Sequence, residues 1–215
     1  MYDFYKMEAP YVANAYHGVG DKWNKIFVAM GATPVVLSAP HAITTSNNGV
    51  VHKAECYTGA LAEILQRETD CSCLANRKYI KNNDPNTVND NNDYKKYLAS
   101  IIKSTDVKLI LDIHGSRPEI PCDIELAVDD FKNCDKEIII DLVNRLSAEG
   151  FIVHIDERFK ASESRILAKW VKTTFGINSI DMKINKNLRD LTNDFSKERL
   201  QTLTDVLKDF ILSIK

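Results

Sequence analysis

Short apolar runs alternate along the chain with longer segments in which apolar residues recur at helical spacing. The short runs, bounded by turn-forming residues, are typical of buried β-strands. They predict strands over residues 34–39, 73–80, 107–113, 123–128, 151–155 and 178–184. The helical spacing predicts helices over residues 52–67, 93–103, 135–149, 163–174 and 196–214. Gly150 and Gly176 stand where two of these helices should end.

The order of these elements predicts the fold class. Strands that alternate with helices indicate a layered α/β domain with a mostly parallel sheet. The 123–128 strand follows the 107–113 strand too closely for a helical crossover, so we predict a hairpin between them and hence a mixed sheet. The 215 residues, 44% of them hydrophobic, suffice for a single domain over residues 1–215. The polar stretch 81–93 predicts a long loop, of a kind that is often functional.

Composition excludes several classes of function. The formal charge of -2, without a block of like charges, gives no indication of nucleic-acid binding. No apolar run approaches the ~18 residues that a membrane span needs. The N-terminal residues lack the basic-then-apolar order of a signal peptide. The five cysteines, an odd number without framework spacing, indicate reduced thiols. We therefore expect a cytoplasmic protein that binds neither membranes nor nucleic acid.

Two predicted strands deliver a histidine at their exit. His41 follows the 34–39 strand, and His114 follows directly on residues 107–113. Ligands of such sheets gather beyond the carboxyl ends of the strands. Glu55, at the start of a helical pattern, would complete the two-histidine, one-carboxylate set of a catalytic zinc site. Asp112 shares a strand face with His114 and could orient it as an outer-shell residue. The pattern predicts a metal-dependent hydrolase.

The ligand set and the metal both have alternatives. His52 and Glu55 have the spacing that places two side chains on one helical face, so they could bind a metal without His41. We favour His41 because it ends a buried strand. A histidine after a strand is also commonly a surface residue. Because histidine and carboxylate ligands suit several metals, manganese or iron could replace zinc.

Three short segments resemble the N-formylglutamate amidohydrolases and the related poly-γ-glutamate hydrolases, which both resemble zinc carboxypeptidases in fold. The segments are residues 38–42 (SAPHA), 55–59 (ECYTG) and 111–116 (LDIHGS). The resemblance extends in the same order from about residue 35 to residue 189. It implies a phosphorylase/hydrolase-like three-layer α/β/α fold and zinc bound by His41, Glu55 and His114. It also implies hydrolysis of an amide bond next to a carboxylate-bearing group.

Two arginines are candidates for binding the substrate. Arg77 opens a segment similar to the family's Arg, Asp and Asn segment, although Thr87 stands where that segment closes with an arginine. Arg117 directly follows the 111–116 segment. A guanidinium can bind a carboxylate through two parallel hydrogen bonds. The alternative for each arginine is a surface ion pair. We expect a small N-acyl amino acid or a short γ-glutamyl peptide as substrate.

The chain departs from the family at the general base. Residues 179–185 resemble the strand that carries the family's catalytic glutamate, but Lys183 stands in its place. A lysine accepts a proton only when its pKa is strongly lowered. Asp181 on the same strand face or Glu157 on another strand end could serve instead. Alternatively, the protein is a non-catalytic relative that keeps the metal ligands and binds a carboxylate ligand or a partner. A cysteine hydrolase that uses Cys56 lacks a visible base.

Overall fold

The computed structural model describes residues 1–19, 25–88 and 91–215. Its helices are α1 (Phe4–Tyr16), α2 (Thr58–Thr69), α3 (Asp93–Ser104), α4 (Lys136–Ala148), α5 (Leu167–Phe175), α6 (Lys186–Arg189) and α7 (Asp194–Ser213). Its strands are β1 (Ile26–Ala29), β2 (Thr33–Ala39), β3 (Thr45–Asn47), β4 (Val50–His52), β5 (Cys71–Asn76), β6 (Leu109–Ser116), β7 (Ile124–Ala127), β8 (Val153–Ile155) and β9 (Asn178–Asn185). Within the described residues, no helix combines the length and apolarity needed to cross a bilayer.

Among the described residues, seven strands form the central sheet in the order β1-β5-β2-β6-β9-β7-β8, and β3 and β4 form a separate hairpin. Strands β5, β2, β6 and β9 are mutually parallel. Strand β1 runs antiparallel to β5, and β7 runs antiparallel to β9. The predicted mixed, mostly parallel sheet is therefore confirmed.

Helices cover both faces of this sheet, so the fold has three layers. Helices α1, α2, α4 and α7 share a buried apolar cluster with sheet residues such as Leu37, Leu111 and Met182. Helices α3 and α5 pack against the other face, on residues such as Val36 and Ile110. Full burial of each such side chain stabilises the fold by roughly 1.5–3 kcal/mol. The alternation of Val36 with Leu37 between the two clusters is what a strand buried on both faces requires.

The predicted hairpin between the 107–113 and 123–128 strands is wrong. Strand β9 lies between β6 and β7 and pairs with both. Its residues Ile180, Met182 and Ile184 are fully buried, which a central position in the sheet provides. Strands β6 and β7 are close in sequence but do not pair, because the later strand β9 is buried between them.

The helix predicted from residue 52 begins only at Thr58. His52 instead ends β4, and the Glu55 N–H donates to the His41 carbonyl over 2.8 Å. The interpretation of His52 and Glu55 as neighbours on one helical face is thus wrong. Strand β5 is also shorter than predicted at its end, because the chain turns away after Asn76. Gly176, in the left-handed conformation at φ +75°, ends α5 as predicted.

Glu8 is a buried acid on α1, with only 3% of its surface exposed. Its carboxylate accepts a hydrogen bond of 2.8 Å from the Tyr57 N–H. Burial raises the pKa of Glu8 to about 7, although the hydrogen bonds with Tyr57 and Tyr16 counteract it. Since this value exceeds the ordinary value of 4.5, the protonated form of Glu8 stabilises the fold. That contribution is complete below pH 4.5 and is lost as the pH rises through about 7.

Glu8→Gln mimics the protonated carboxyl and should remove this loss. We expect the variant to be about 3 kcal/mol more stable than the parent protein at pH 8 and nearly equal to it at pH 4.5. Urea unfolding at the two pH values measures the difference. The exposed Glu119 offers a matched control, since Glu119→Gln should leave stability unchanged at both. Equal stability of the parent and Glu8→Gln at pH 8 would contradict the prediction.

Candidate metal centre

Two adjacent parallel strands and one turn bring His41, Glu55 and His114 together. His41 follows the end of β2, and His114 lies near the end of β6, next to β2 in the sheet. Glu55 lies in the turn before α2, where its N–H bond to His41 fixes the backbone. One donor atom from each of the three residues lies within 4.8 Å of the others, and both histidines are buried. This group is suited to holding a metal ion.

Both imidazoles turn the same ring nitrogen toward the Glu55 carboxylate. Nδ1 of His41 lies 3.4 Å from Oε1, and Nδ1 of His114 lies 3.2 Å from Oε2. The opposite nitrogens contact further carboxylates. Nε2 of His41 is 3.1 Å from Asp84, and Nε2 of His114 is 3.0 Å from Asp112. Histidines that bind metals typically direct one nitrogen to the ion and bond the other to such a partner.

The electrostatics of the cluster also fit a cation. Burial alone would lower the pKa of both imidazoles. For His41, the charge of Glu55 and the hydrogen bonds with Asp84 and Glu55 outweigh burial and raise the pKa to about 9. For His114, the surrounding carboxylates outweigh burial and a nearby ammonium and raise the pKa to about 10. The cluster thus concentrates negative charge, which a divalent ion would compensate in place of two protons.

A hydrogen-bond network holds Asp112 in place. The Ser38 hydroxyl donates to Asp112 over 2.6 Å and also contacts the Tyr94 hydroxyl at 2.9 Å. Tyr94 in turn donates to the Leu74 carbonyl over 3.0 Å. Because all four residues are buried, Asp112 presents a fixed carboxylate to His114. The structure therefore places Asp112 where the sequence predicted an orienting residue.

Asp84 was not identified from the sequence, although the predicted 81–93 loop contains it. It is buried at 3% exposure beneath an asparagine-rich surface, and burial of a lone acid cannot be read from a polar loop. His52 lies 3.7 Å from Asp84 and stacks on His41 with ring centroids 6.1 Å apart. It faces Asp84 rather than Glu55, and its side chain is 48% exposed. The structure thus places His52 beside the cluster and His41 within it.

The departure at Lys183 lies directly beside the cluster. Register pairs Lys183 with His114 and Asp181 with Asp112 across β9 and β6. The Lys183 ammonium donates to Asp181 over 2.7 Å. Burial alone would lower the pKa of Lys183, but the charges of Asp181 and Glu55 raise it above its ordinary value. Lys183 is therefore an ammonium at neutral pH and has no free electron pair with which to accept a proton.

The structure separates the other candidates. Glu157 is 58% exposed in the chain after β8, where it pairs with His154 at 3.0 Å. The Arg77 guanidinium pairs with the buried Glu63 of α2, and its centre lies 4.5 Å from the Phe27 ring centroid. Arg117 is exposed, and no residue in the described ranges forms an ion pair with it. Of the two arginines, Arg117 therefore has a guanidinium available to a ligand.

Arg189 is a buried residue of the site that sequence reasoning missed. Its guanidinium donates to the carbonyls of Ile184 at 3.0 Å, Ser116 at 3.4 Å and Cys56. It thereby ties the turn that carries Glu55 to the ends of β6 and β9. A Cβ at Gly115 would lie 2.2 Å from an Arg189 nitrogen, so a larger residue here would displace the guanidinium from this position. Gly115 and Ser116 after His114 were the available signal in the sequence, but Arg189, which contacts them, is distant in sequence.

Glu125 is a second residue that the sequence analysis missed. It is fully buried on β7, in register with Lys183 on β9. One of its carboxylate oxygens accepts the N–H groups of Arg158 and Phe159 at 2.5 and 2.8 Å. Its other oxygen is buried without a hydrogen-bond partner among the described residues. A lone acid between the buried residues Ile124 and Leu126 was the signal in the sequence.

The α/β fold of this chain is similar to that of several solved structures. Neither a protein-family model nor a curated protein sequence matches the chain. Solved structures do match, among them N-formylglutamate amidohydrolase from Ralstonia eutropha JMP134. That match has a TM-score of 0.68 at 15% identity and covers 88% of this chain and 98% of the other.

Two further matches extend the comparison. A bacteriophage poly-gamma-glutamate hydrolase aligns with a TM-score of 0.57 at 13% identity, over 86% of each chain. A metallo-carboxypeptidase from Pseudomonas aeruginosa, in complex with (2-guanidinoethylmercapto)succinic acid, aligns with a TM-score of 0.53 at 14% identity. The match covers 86% of this chain but only 61% of the carboxypeptidase. The fold implied by the resemblance is thus confirmed.

Proposed function

We propose that this protein is a zinc-dependent hydrolase that cleaves an amide bond in a small N-acyl amino acid or a γ-glutamyl peptide. The observation that carries the proposal is the convergence of His41, His114 and Glu55, with both Nδ1 atoms directed at one carboxylate. The chemistry named for the matching structures supports the choice of an amide substrate.

In this proposal, His41, Glu55 and His114 hold the zinc, while Asp84 and Asp112 orient the two imidazoles. Bound zinc supplies a water of lowered pKa and polarises the scissile carbonyl. Because zinc requires neutral histidine nitrogens, the two imidazoles give up their protons on binding.

The remaining roles follow from exposure and position. Arg117 binds the substrate carboxylate from the rim of the site. Asp181 accepts a proton from the attacking water, since Glu157 faces solvent and Lys183 is already protonated. For that role Asp181 would use Oδ2, since its Oδ1 accepts the hydrogen bond from Lys183.

Location and domain organisation complete the proposal. All five cysteines lie within the described residues and are free. Free thiols fit a reducing compartment such as the cytoplasm. We further propose that residues 1–215 act as one domain that takes a carboxylate-bearing small molecule or short peptide, without binding nucleic acid or membranes.

The metal content of the purified protein, measured by elemental mass spectrometry without added metal, tests the centre. We expect about one zinc per chain. Screening the zinc-loaded protein against N-formylglutamate, other N-acyl amino acids and γ-glutamyl peptides then tests the reaction. Manganese or iron in place of zinc would correct the metal alone. No metal in the purified protein, and none taken up on addition of zinc, would overturn the proposal.

The Lys183 ammonium favours a second candidate function, a non-catalytic relative that keeps the metal ligands and binds a carboxylate ligand or partner. Zinc-loaded protein that binds such a ligand but hydrolyses none of the screened amides would support this candidate. A gain of hydrolysis in Lys183→Glu would support it further, because that change supplies the carboxylate absent from this position.

A further inference from the structure

A row of three polar side chains crosses the sheet beside the metal centre. Register places Lys183 of β9 between His114 of β6 and Glu125 of β7. Residues directly opposite each other on neighbouring strands point to the same face of the sheet. The Lys183 side chain is only 14% exposed. Its ammonium is therefore held at the edge of the centre and is shielded from bulk water.

The surroundings of Lys183 leave part of its bonding capacity unused. An ammonium has three N–H donors. Asp181 accepts one of them at 2.7 Å, and the described residues offer Lys183 no second hydrogen bond. The Phe159 ring centroid lies 5.4 Å from Nζ, so one side of the ammonium faces an aromatic surface. The remaining donors are available to a ligand.

Glu125 holds the chain segment that carries the Phe159 ring. Its carboxylate accepts the backbone N–H groups of Arg158 and Phe159 and so anchors the segment behind Lys183. The carboxylates of Asp181, Glu55 and Asp112 keep a cation favourable at this buried position. The position of the ammonium is thus determined from two sides, by Asp181 and by the Phe159 ring on the segment that Glu125 holds.

A fixed cation next to a metal ion has a chemical consequence. Two positive charges at short distance in a shielded site repel each other strongly. An anionic ligand that lies between them relieves the repulsion and bonds to both. A carboxylate has two oxygens, so one can approach the ion while the other accepts from the ammonium.

We propose that Lys183, positioned by Asp181, Phe159 and the Glu125-anchored segment, is an anion-binding residue that holds a carboxylate oxygen of the ligand at this centre. The inference rests on the proposed metal centre and narrows its ligands to molecules that present a free carboxylate beside the ion. Neutral amides of the same shape are excluded, since they offer no charge to the ammonium.

Calorimetry of the zinc-loaded protein with succinate tests this role. We expect Lys183→Met to weaken succinate binding about 10-fold or more, the usual effect of losing a hydrogen bond to a charged group. Lys183→Arg keeps the charge and should bind succinate within about threefold of the parent protein. Lys186→Met, an exposed lysine just beyond the same strand, is the matched control and should change nothing.

A measurement on the unmutated protein covers the case in which Lys183→Met fails to fold. Succinate should bind and succinamide should not, and succinate should shift the ¹⁵Nζ resonance of Lys183, assigned through Lys183→Arg. Full succinate affinity in zinc-loaded Lys183→Met, or an unmoved resonance on binding, would overturn the inference alone. Parent protein that takes up no zinc would overturn the metal centre and the inference with it.

Discussion

His114→Ala should purify without bound metal, whereas the parent protein carries about one zinc per chain. The substitution removes one of three ligands and leaves the Glu55 carboxylate with a single imidazole partner. Hydrolysis, where the parent protein shows it, should fall by ~10²-fold or more, since even the loss of an outer-shell partner costs 10–100-fold. Elemental mass spectrometry and turnover on the same preparations measure both effects.

Two controls separate loss of a ligand from loss of structure. His52→Ala should keep its zinc, because that side chain faces Asp84 and lies outside the His41 cluster. Circular dichroism should show His114→Ala folded, since the core around β6 is otherwise intact. Zinc retained in His114→Ala, or lost in His52→Ala, would show that the ligand set is wrong.

Arg77→Met should destabilise the fold strongly and leave the metal content unchanged. Glu63, its partner, is 1% exposed and also accepts a hydrogen bond from the Tyr11 hydroxyl. Without the guanidinium, a buried carboxylate loses its compensating charge, which costs roughly 3–5 kcal/mol. The contact with the Phe27 ring is lost as well. Urea unfolding of the variant and the parent protein measures the change.

The matched comparison is Arg117→Met, at the exposed arginine. Its stability should lie within about 0.5 kcal/mol of the parent protein. Its effect should appear as a raised KM for carboxylate substrates, because it contributes to binding and not to folding. The double variant Glu63→Gln with Arg77→Met should recover much of the stability, since the buried charge is gone. An Arg77→Met protein of normal stability but raised KM would reverse the two assignments.

Local patterns predicted most of this structure, and the misses have physical causes. The apolar runs located the strands that lead to His41 and His114, because burial on both faces leaves an unambiguous signature. The hairpin failed because strand pairing depends on burial of the whole sheet, which placed β9 between strands that are adjacent in sequence. Nothing local to residues 107–128 contains that information.

The site was predictable to the extent that two of its candidate metal ligands, His41 and His114, lie near strand ends. Asp84 and Arg189 act through buried contacts with distant segments, and no spacing pattern in the sequence predicts either residue. Glu125 is a different case. A single acid within a buried strand is visible in the sequence, but the sequence does not indicate which residues it contacts. Lys183 was noticed only because a resemblance predicted another residue there.

The central position of β9 bears on how the chain folds as it is made. Strand β6 carries His114, yet its second edge remains without a partner until residues 178–185 have left the ribosome. Such long-range pairing is slow, and an open apolar edge invites association with other chains. Poor yield at high expression rates would then arise during synthesis, even for variants whose finished fold is stable. Slower translation, or expression at lower temperature, is the remedy that this strand order suggests.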